Sequence, residues 1–261
     1  MILSDDHRFV FLHIPKCAGT AVRRQLEGFD TTDGRFTGMM DHAVLGRIYG
    51  THVPLSVLRQ HFPETFERVR TYRSFAIIRD PKERFRSALA QRLREVRGVE
   101  FAHAESELVA SEAQAVVQEL SKGEEMPPAA FIHFLPQHRW VELDGERITD
   151  ELFPMHAVDR MFDALSAHIG KRVGEPARAN ETVEHRFPGL IKAARSTNKA
   201  LREALPEAPY KAILNVAKPL LTKKNGDEAQ PVPGGPEVEA FVERYYARDF
   251  EIADGLSGLS N

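Results

Sequence analysis

The chain has 261 residues and a formal net charge of −3 at pH 7, with 42% hydrophobic and 28% charged residues. These values are typical of one soluble α/β domain with a large core, and the charge excludes wholesale electrostatic binding of nucleic acid. The single cysteine, Cys17, excludes an internal disulfide and a cysteine-based zinc site. The stretch Met1–Arg8 is polar and acidic, and the apolar run Phe9–Ile14 is too short for a signal sequence or a membrane span. A cytoplasmic protein is therefore expected.

The first predicted elements are a strand, a loop and a helix. Phe9–Leu12 is apolar, aromatic and β-branched, which favours a buried strand of a parallel sheet. The chain breaks at Pro15 and Gly19, and Thr20–Phe29 then carries its apolar side chains on one helical face. Such a unit presents unpaired backbone N–H groups and the positive end of the helix dipole to an anion.

The loop Pro15-Lys16-Cys17-Ala18-Gly19-Thr20 therefore predicts a phosphate-binding site. Lys16 supplies a full charge, Gly19 lets the backbone approach an anion, and the Thr20 hydroxyl adds a hydrogen bond. The loop differs from GxxxxGK[ST], because its lysine precedes the glycine and because it is shorter. Taken alone, it is also compatible with an ordinary strand-to-helix connection that carries a solvated lysine.

The next stretch is predicted to be mostly loop and short helix. The composition of Gly28–Gly38 indicates a loop. Short helical stretches are expected around His42–Tyr49 and Pro54–Phe62, with a turn or strand end at Gly50–Val53 between them.

A second strand and helix follow. Ser74–Ile78 predicts a buried strand, and a helix is expected from Asp80 to about Val96. Asp80 is predicted to cap this helix, with Pro81 in its first position and Glu83 completing a capping box.

Charged and polar residues of this second unit predict another anion site. Arg79 ends the strand, and Arg84 and Ser87 lie with Asp80 on one face of the helix. The side chains of Arg79, Arg84 and Ser87 can therefore converge on one anion. The alternative is a helix-capping aspartate, a surface arginine and a serine without a function.

The remaining elements are predicted from apolar periodicity and from Pro and Gly positions. They are a helix at Ser106–Leu120, a short helix between Pro127 and Pro136, a hairpin at Trp140–Ile148, a strand at Leu152–His156, helices at Asp159–Ile169 and Pro236–Ala253, and a surface loop at Leu221–Pro236 preceded by the basic stretch Lys218–Lys224. Together the pattern predicts a single domain, residues 1–261, with a three-layer P-loop-like α/β fold: a central parallel sheet flanked by helices.

The two anion-binding elements together carry a family resemblance. The segment Phe9–Thr20 resembles the 5′-phosphosulfate loop of sulfotransferases that use 3′-phosphoadenosine 5′-phosphosulfate (PAPS), and Arg79–Ser87 resembles their 3′-phosphate segment. The likeness is greatest to the carbohydrate and heparan-sulfate 2-O type. Ala21 stands where these proteins often have serine, and Leu89 stands where they often have tyrosine; neither change removes a charged contact.

The resemblance implies a PAPS-dependent sulfotransferase of the EC 2.8.2 type, which releases 3′-phosphoadenosine 5′-phosphate (PAP) and requires no metal. The acceptor it implies is a hydroxyl group, of a carbohydrate, a glycolipid or another partner. The implied nucleotide contacts are Pro15, Lys16, Cys17, Ala18, Gly19, Thr20, Ala21, Arg79, Arg84 and Ser87.

The resemblance also implies catalytic roles. Lys16 is placed to neutralise the 5′-phosphate as it leaves. The segment Gly50–Val53 resembles the one that supplies the catalytic histidine of 2-O-sulfotransferases, so His52 is the first candidate for the general base, and His42 is the second. The other histidines considered are read as loop-orienting or structural: His13, His133 and His138.

Two other functions stay open at this level. One is a protein that binds PAP or PAPS and has lost catalysis. The other is a P-loop nucleotide kinase, which the sequence favours less, because it would need a lysine after the glycine and a Mg²⁺-binding aspartate at a strand end, and neither is present.

Overall fold

The computed structural model describes residues 1–174 and 231–257, and the backbone alone of residues 184–185 and 222–223. The chain divides into two compact units, one formed by Met1–Ala177 with Pro231–Asn261 and the other by Arg178–Gln230. The predicted basic stretch at Lys218–Lys224 and most of the loop at Leu221–Pro236 lie outside the described residues.

The strands and helices are numbered in chain order. The strands are β1 (Ile2–Ser4), β2 (Phe9–Leu12), β3 (Met39–His42), β4 (Gly46–Tyr49), β5 (Arg73–Ile78), β6 (Glu142–Leu143), β7 (Glu146–Arg147), β8 (Glu151–Pro154), β9 (Glu184–His185) and β10 (Thr222–Lys223). The helices are α1 (Gly19–Leu26), α2 (Leu55–His61), α3 (Pro63–Thr71), α4 (Pro81–Arg92), α5 (Ser106–Leu120), α6 (Val158–Ile169), α7 (Pro236–Tyr245) and α8 (Ala247–Ser257).

A four-stranded sheet with the order β1-β2-β5-β8 forms the centre of the first unit. Strands β2, β5 and β8 are parallel neighbours, and helices such as α3 and α6 pack against them. The structure confirms a mixed α/β fold with a central, mostly parallel sheet flanked by helices. Because β2 and β5 are parallel and in register from Phe9↔Arg73 to Leu12↔Ala76, the loops that follow them leave the sheet at the same edge.

The sheet also has an antiparallel edge strand that the polar start of the chain did not suggest. β1 pairs with β2 through Ile2↔Phe11, and Met1, Ile2 and Leu3 are all buried. The exposed residues of this stretch are Asp6, His7 and Arg8, which follow β1. The three apolar residues at the start of the chain are therefore core, because they cover the outer side of β2.

The prediction of a helix at His42–Tyr49 is wrong. This stretch belongs to the hairpin formed by β3 and β4, in which Met40 pairs with Ile48. Ile48 is buried while Arg47 is exposed, which is the alternation of a strand. Gly46 takes a positive φ of 67°, which ends any helical path at the tip of the hairpin.

The C-terminal helix predicted at Pro236–Ala253 is two helices. The break lies at Tyr246, whose backbone leaves the helical region at φ −104° and ψ 19°. Its hydroxyl donates a buried hydrogen bond of 2.6 Å to the carbonyl oxygen of Phe134. This long-range contact accompanies the bend and does not show in the apolar periodicity.

Other elements agree with the sequence prediction. Helix α5 covers the predicted residues, and β6 and β7 form the hairpin that turns at Asp144 and Gly145. The Asp80 carboxylate caps α4 by accepting the N–H of Glu83 at 2.9 Å. Within the described ranges no helix is long and apolar enough to cross a membrane.

Candidate active site

The loop between β2 and α1 is built around two residues in the left-handed region. Lys16 has a φ of 66° and Ala18 has a φ of 56°, conformations that are uncommon outside glycine and that cluster at functional sites. In the described part of the chain, the N–H groups of Gly19 and Thr20 find no acceptor, and no side chain caps α1. The loop therefore offers several unpaired donors to one anion.

The predicted nucleotide contacts of this loop differ in exposure. Ala18 and Thr20 are exposed, and Lys16 and Ala21 are half-buried. The buried members of the set are Pro15, Cys17 and Gly19. Buried residues of a loop reach a ligand mainly through their main chain, so they shape the cradle while the exposed ones line it.

Gly19 has a second reason to be glycine, which the sequence did not indicate. A Cβ atom at this position would collide with the imidazole ring of His13, at its Cδ2 and Nε2 atoms. His13 is only 5% exposed, so its ring has little room to move. Gly19 thus lets the start of α1 lie directly against His13, and this contact holds the loop in its cradle shape.

Replacing Gly19 with alanine is expected to destabilise the protein by about 1–3 kcal/mol, the usual cost of overpacking a filled core, and to weaken PAP binding. Thermal unfolding and calorimetric titration with PAP measure both effects. Gly28→Ala is the matched control, because nothing lies within 4 Å of its added Cβ. A Gly19→Ala protein with unchanged stability and PAP affinity would contradict the role assigned to this contact.

Lys16 points its ammonium group towards the last turns of α4. Its Nζ donates to Oε1 of Gln91 at 2.8 Å, and Nε2 of Gln91 donates to Glu95 at 2.7 Å. Burial, followed by the neighbouring charges of Arg94 and Arg79, lowers the pKa of Lys16. Arg94 and Arg79 thus disfavour the charge of Lys16 and Glu95 partly offsets them, so an anionic ligand would stabilise the charged ammonium group.

Arg79 brings the second predicted anion-binding element next to the first. Its Nη1 lies 3.4 Å from the carbonyl oxygen of Lys16, while its Nε pairs with Glu83 at 3.2 Å. The hydroxyl of Ser87, two turns into α4, is half-buried and has no hydrogen-bonding partner among the described residues. The Ser87 hydroxyl is thus unengaged, while the Arg79 guanidinium is shared between Glu83 and the carbonyl oxygen of Lys16.

Arg84, by contrast, is fully buried. Its Nη1 and Nη2 donate to the carbonyl oxygens of His133 and Leu135 at 2.9 and 2.8 Å, and its guanidinium lies 5.2 Å from the centre of the Tyr246 ring. The sequence pattern predicts a nucleotide contact here. The structure instead engages Arg84 in holding the segment that contains His133.

His52 lies directly beneath the loop. Its Nδ1 is 2.9 Å from the carbonyl oxygen of His13. Because a carbonyl oxygen can only accept a hydrogen bond, Nδ1 carries the proton, and the free electron pair of the neutral ring lies on Nε2. The two rings meet edge to face, 4.6 Å apart. Burial, followed by the proximity of His133, lowers the pKa of His52 to about 3, so the imidazole is neutral at pH 7.

His133, which the sequence analysis reads as structural, lies beside His52 although no motif surrounds it. Its ring lies 5.3 Å from that of His52 and 5.4 Å from that of Tyr49. Burial, followed by the charge of Lys16, lowers the pKa of His133 to about 4. Despite this clustering, no group of His, Cys, Asp or Glu side chains in the described residues is arranged to hold a metal ion.

The structure separates His42 and His138 from this cluster. Nδ1 of His42 accepts the N–H groups of Val44 and Leu45 and so closes the tip of the β3–β4 hairpin. Nδ1 of His138 lies 2.9 Å from the carboxylate of Asp249. Both rings thus make structural contacts, His42 within its own hairpin and His138 with helix α8.

The buried histidines predict a pH dependence of stability. An unfolded histidine has a pKa near 6.5, whereas the pKa values of His52 and His133 are about 3 and about 4 when folded. Below pH 6.5 the unfolded chain therefore binds more protons than the folded one. The free energy of unfolding is expected to fall by about 1.4 kcal/mol per pH unit for each histidine on acidification.

Urea unfolding of the wild type and of His133→Asn at pH 7.5 and pH 5.0 measures this effect. The variant is expected to lose less stability between the two pH values than the wild type. Equal losses would show that the ring of His133 is not kept neutral by its surroundings.

Taken together, the features at this sheet edge are those of an α/β protein in which the Lys16 loop and Arg79 meet, with the neutral His52 beside the loop. A family model described as the sulfotransferase family matches residues 1–252, and the chain belongs to that family. No curated protein and no solved structure gives a significant match.

Proposed function

We propose that the protein transfers a sulfuryl group from PAPS to a hydroxyl acceptor. The observation that carries this proposal is the meeting of the two anion-binding elements, with the Arg79 guanidinium 3.4 Å from the carbonyl oxygen of Lys16. PAPS has one phosphate at its 3′ position and a phosphosulfate at its 5′ position. One nucleotide can therefore engage both elements.

The residues present suit such a donor. The 5′-phosphosulfate of PAPS fits the unpaired N–H groups of Gly19 and Thr20 and the ammonium group of Lys16. The 3′-phosphate fits Arg79 and the unengaged hydroxyl of Ser87. When bound, PAPS supplies an activated sulfuryl group, and the chain supplies donors that do not need to reorganise during transfer.

Lys16 acts on the leaving group of the in-line displacement, and His52 acts on the acceptor. As the acceptor oxygen bonds to sulfur and the bond from sulfur to the 5′-phosphate oxygen breaks, Lys16 stabilises the negative charge that develops on that phosphate. The free electron pair on Nε2 of His52 accepts the proton of the acceptor hydroxyl, while the His13 carbonyl holds the ring in the required tautomer. The charge on a bound donor would raise the pKa of His52 from its low value and so favour proton uptake.

The same proposal extends to the acceptor, for which we propose a hydroxyl group of a carbohydrate or a glycolipid. The histidine-bearing segment Gly50–Val53 resembles that of 2-O-sulfotransferases, which supports a carbohydrate or glycolipid hydroxyl. Tyr49, which is half-buried beside His52, adds an aromatic face of the kind that sugar rings contact.

The test has two stages. Calorimetric titration with PAP and thermal unfolding in its presence measure donor binding, and transfer of ³⁵S from labelled PAPS to a panel of glycans, glycolipids and simple alcohols measures catalysis. Binding of PAP together with transfer to a hydroxyl acceptor is expected. A protein that neither binds PAP nor is stabilised by it would overturn the proposal, and normal PAP binding without transfer to any acceptor would favour the inactive binding protein.

A further inference from the structure

The side chain of Gln137 links the two anion-binding elements inside the protein. Its Oε1 accepts hydrogen bonds from the thiol of Cys17 at 3.1 Å and from the backbone N–H of Arg79 at 2.9 Å. Its Nε2 donates to the carbonyl oxygen of Arg79 at 2.8 Å. Gln137 is fully buried, and both lone pairs of its oxygen are engaged, so this side chain is a fixed bridge within the fold.

The two residues that it joins belong to different elements. Cys17 lies in the loop after β2, between the left-handed residues Lys16 and Ala18. Arg79 follows β5 and precedes the cap of α4. Burial raises the pKa of the Cys17 thiol to about 12, so the sulfur keeps its proton and donates a hydrogen bond to Gln137.

Gln137 is itself held by a buried carboxylate from the C-terminal helix. Oδ2 of Asp249 accepts the backbone N–H of Gln137 at 2.6 Å, and Oδ1 accepts the N–H of His138 at 2.9 Å. Asp249 lies on α8 and is fully buried. The position of Gln137 is thus fixed from the opposite side, by groups that do not belong to either anion-binding element.

We propose that Gln137 is a positioning residue that sets the spacing between the Lys16 loop and Arg79, so that one nucleotide binds both elements at once. This inference rests on the proposed function. A preset spacing removes the cost of aligning the second binding element after the first is occupied, so the two phosphate contacts reinforce each other. Because its amide is occupied by protein groups, Gln137 acts through Cys17 and Arg79.

The experiment compares three nucleotides on the full chain by calorimetric titration: PAP, adenosine 5′-phosphate and adenosine 3′-phosphate. Gln137→Leu is expected to weaken PAP binding by about tenfold or more, and to weaken binding of each single-phosphate nucleotide by about twofold, because only PAP depends on the spacing. A general structural defect would weaken all three nucleotides by similar factors. Gln118→Leu is the control, because Gln118 is exposed on α5.

Cys17→Ala provides a second variant, which removes one of the three bonds and leaves those to Arg79. It is expected to weaken PAP more than either single-phosphate nucleotide, by a smaller factor than Gln137→Leu. If the wild type binds PAP and both variants lose affinity for the three nucleotides equally, or lose none, this inference fails and the proposed function stands. If the wild type does not bind PAP, both fail.

Discussion

Replacing Lys16 with alanine is expected to lower kcat for sulfuryl transfer by about 100- to 1,000-fold while the fold stays intact. Lys16 lies in the loop that leads to the unpaired N–H groups of Gly19 and Thr20, and its Nζ reaches no carboxylate in the described chain, only the amide of Gln91. Its charge is therefore available to a leaving phosphate. Alanine keeps a Cβ atom, so the left-handed conformation at this position costs about the same as before.

Single-turnover transfer from labelled PAPS measures this effect, and calorimetric titration with PAP separates it from loss of binding. Lys122→Ala serves as the control, because Lys122 is an exposed lysine paired with Glu119. A kcat of Lys16→Ala within tenfold of the wild type would exclude Lys16 as the group that stabilises the leaving phosphate.

The second large effect is expected at His52. His52→Asn should lower kcat by about 100- to 10,000-fold, the range that a positioned general base supplies, with little change in PAP affinity. Asparagine can still donate to the carbonyl oxygen of His13, as Nδ1 of His52 does at 2.9 Å. The substitution therefore removes the basic nitrogen and leaves the buried hydrogen bond.

The comparison with His42 decides between the two histidines that the sequence offered as a base. His42→Asn is expected to retain near-normal kcat, because its ring contacts His61 and Phe62 and its Nδ1 closes the hairpin tip. Loss of turnover in His42→Asn, with turnover kept in His52→Asn, would reverse the assignment. Both measurements use the same labelled transfer assay.

The elements that could be predicted from the sequence are those specified by neighbouring residues. Phe9–Leu12 forms the buried strand that its apolar run indicates, and Asp80 caps α4 as its spacing to Glu83 indicates. The hairpin at His42–Tyr49 was not predicted, since strand alternation of Met40 and Ile48 is visible only once their pairing is known. Short apolar runs fit a helix or a strand equally well.

The residues of the candidate site also divide into those that neighbouring residues specify and those that depend on distant parts of the chain. The Lys16 loop and Arg79 stand next to recognisable strands, so their placement at one sheet edge follows from parallel pairing. His133 and Gln137 have no such marker, because they reach the site from a separate segment through contacts with Arg84 and Asp249. Residues that meet across the core leave no periodic signal along the chain.

By itself, the sequence determined the order of strand, loop and helix at Phe9–Leu26 and the charges that the loop after β2 carries. Those features depend on local preferences, such as apolar runs, helix caps and the placement of Pro and Gly. Only the tertiary structure decided that Arg84 is engaged by core carbonyls, that Gly19 makes room for His13, and that His133 lies beside His52. The reason is physical: burial and the pairing of buried polar groups are set by whatever segment fills the space opposite, and that segment lies far away in the chain.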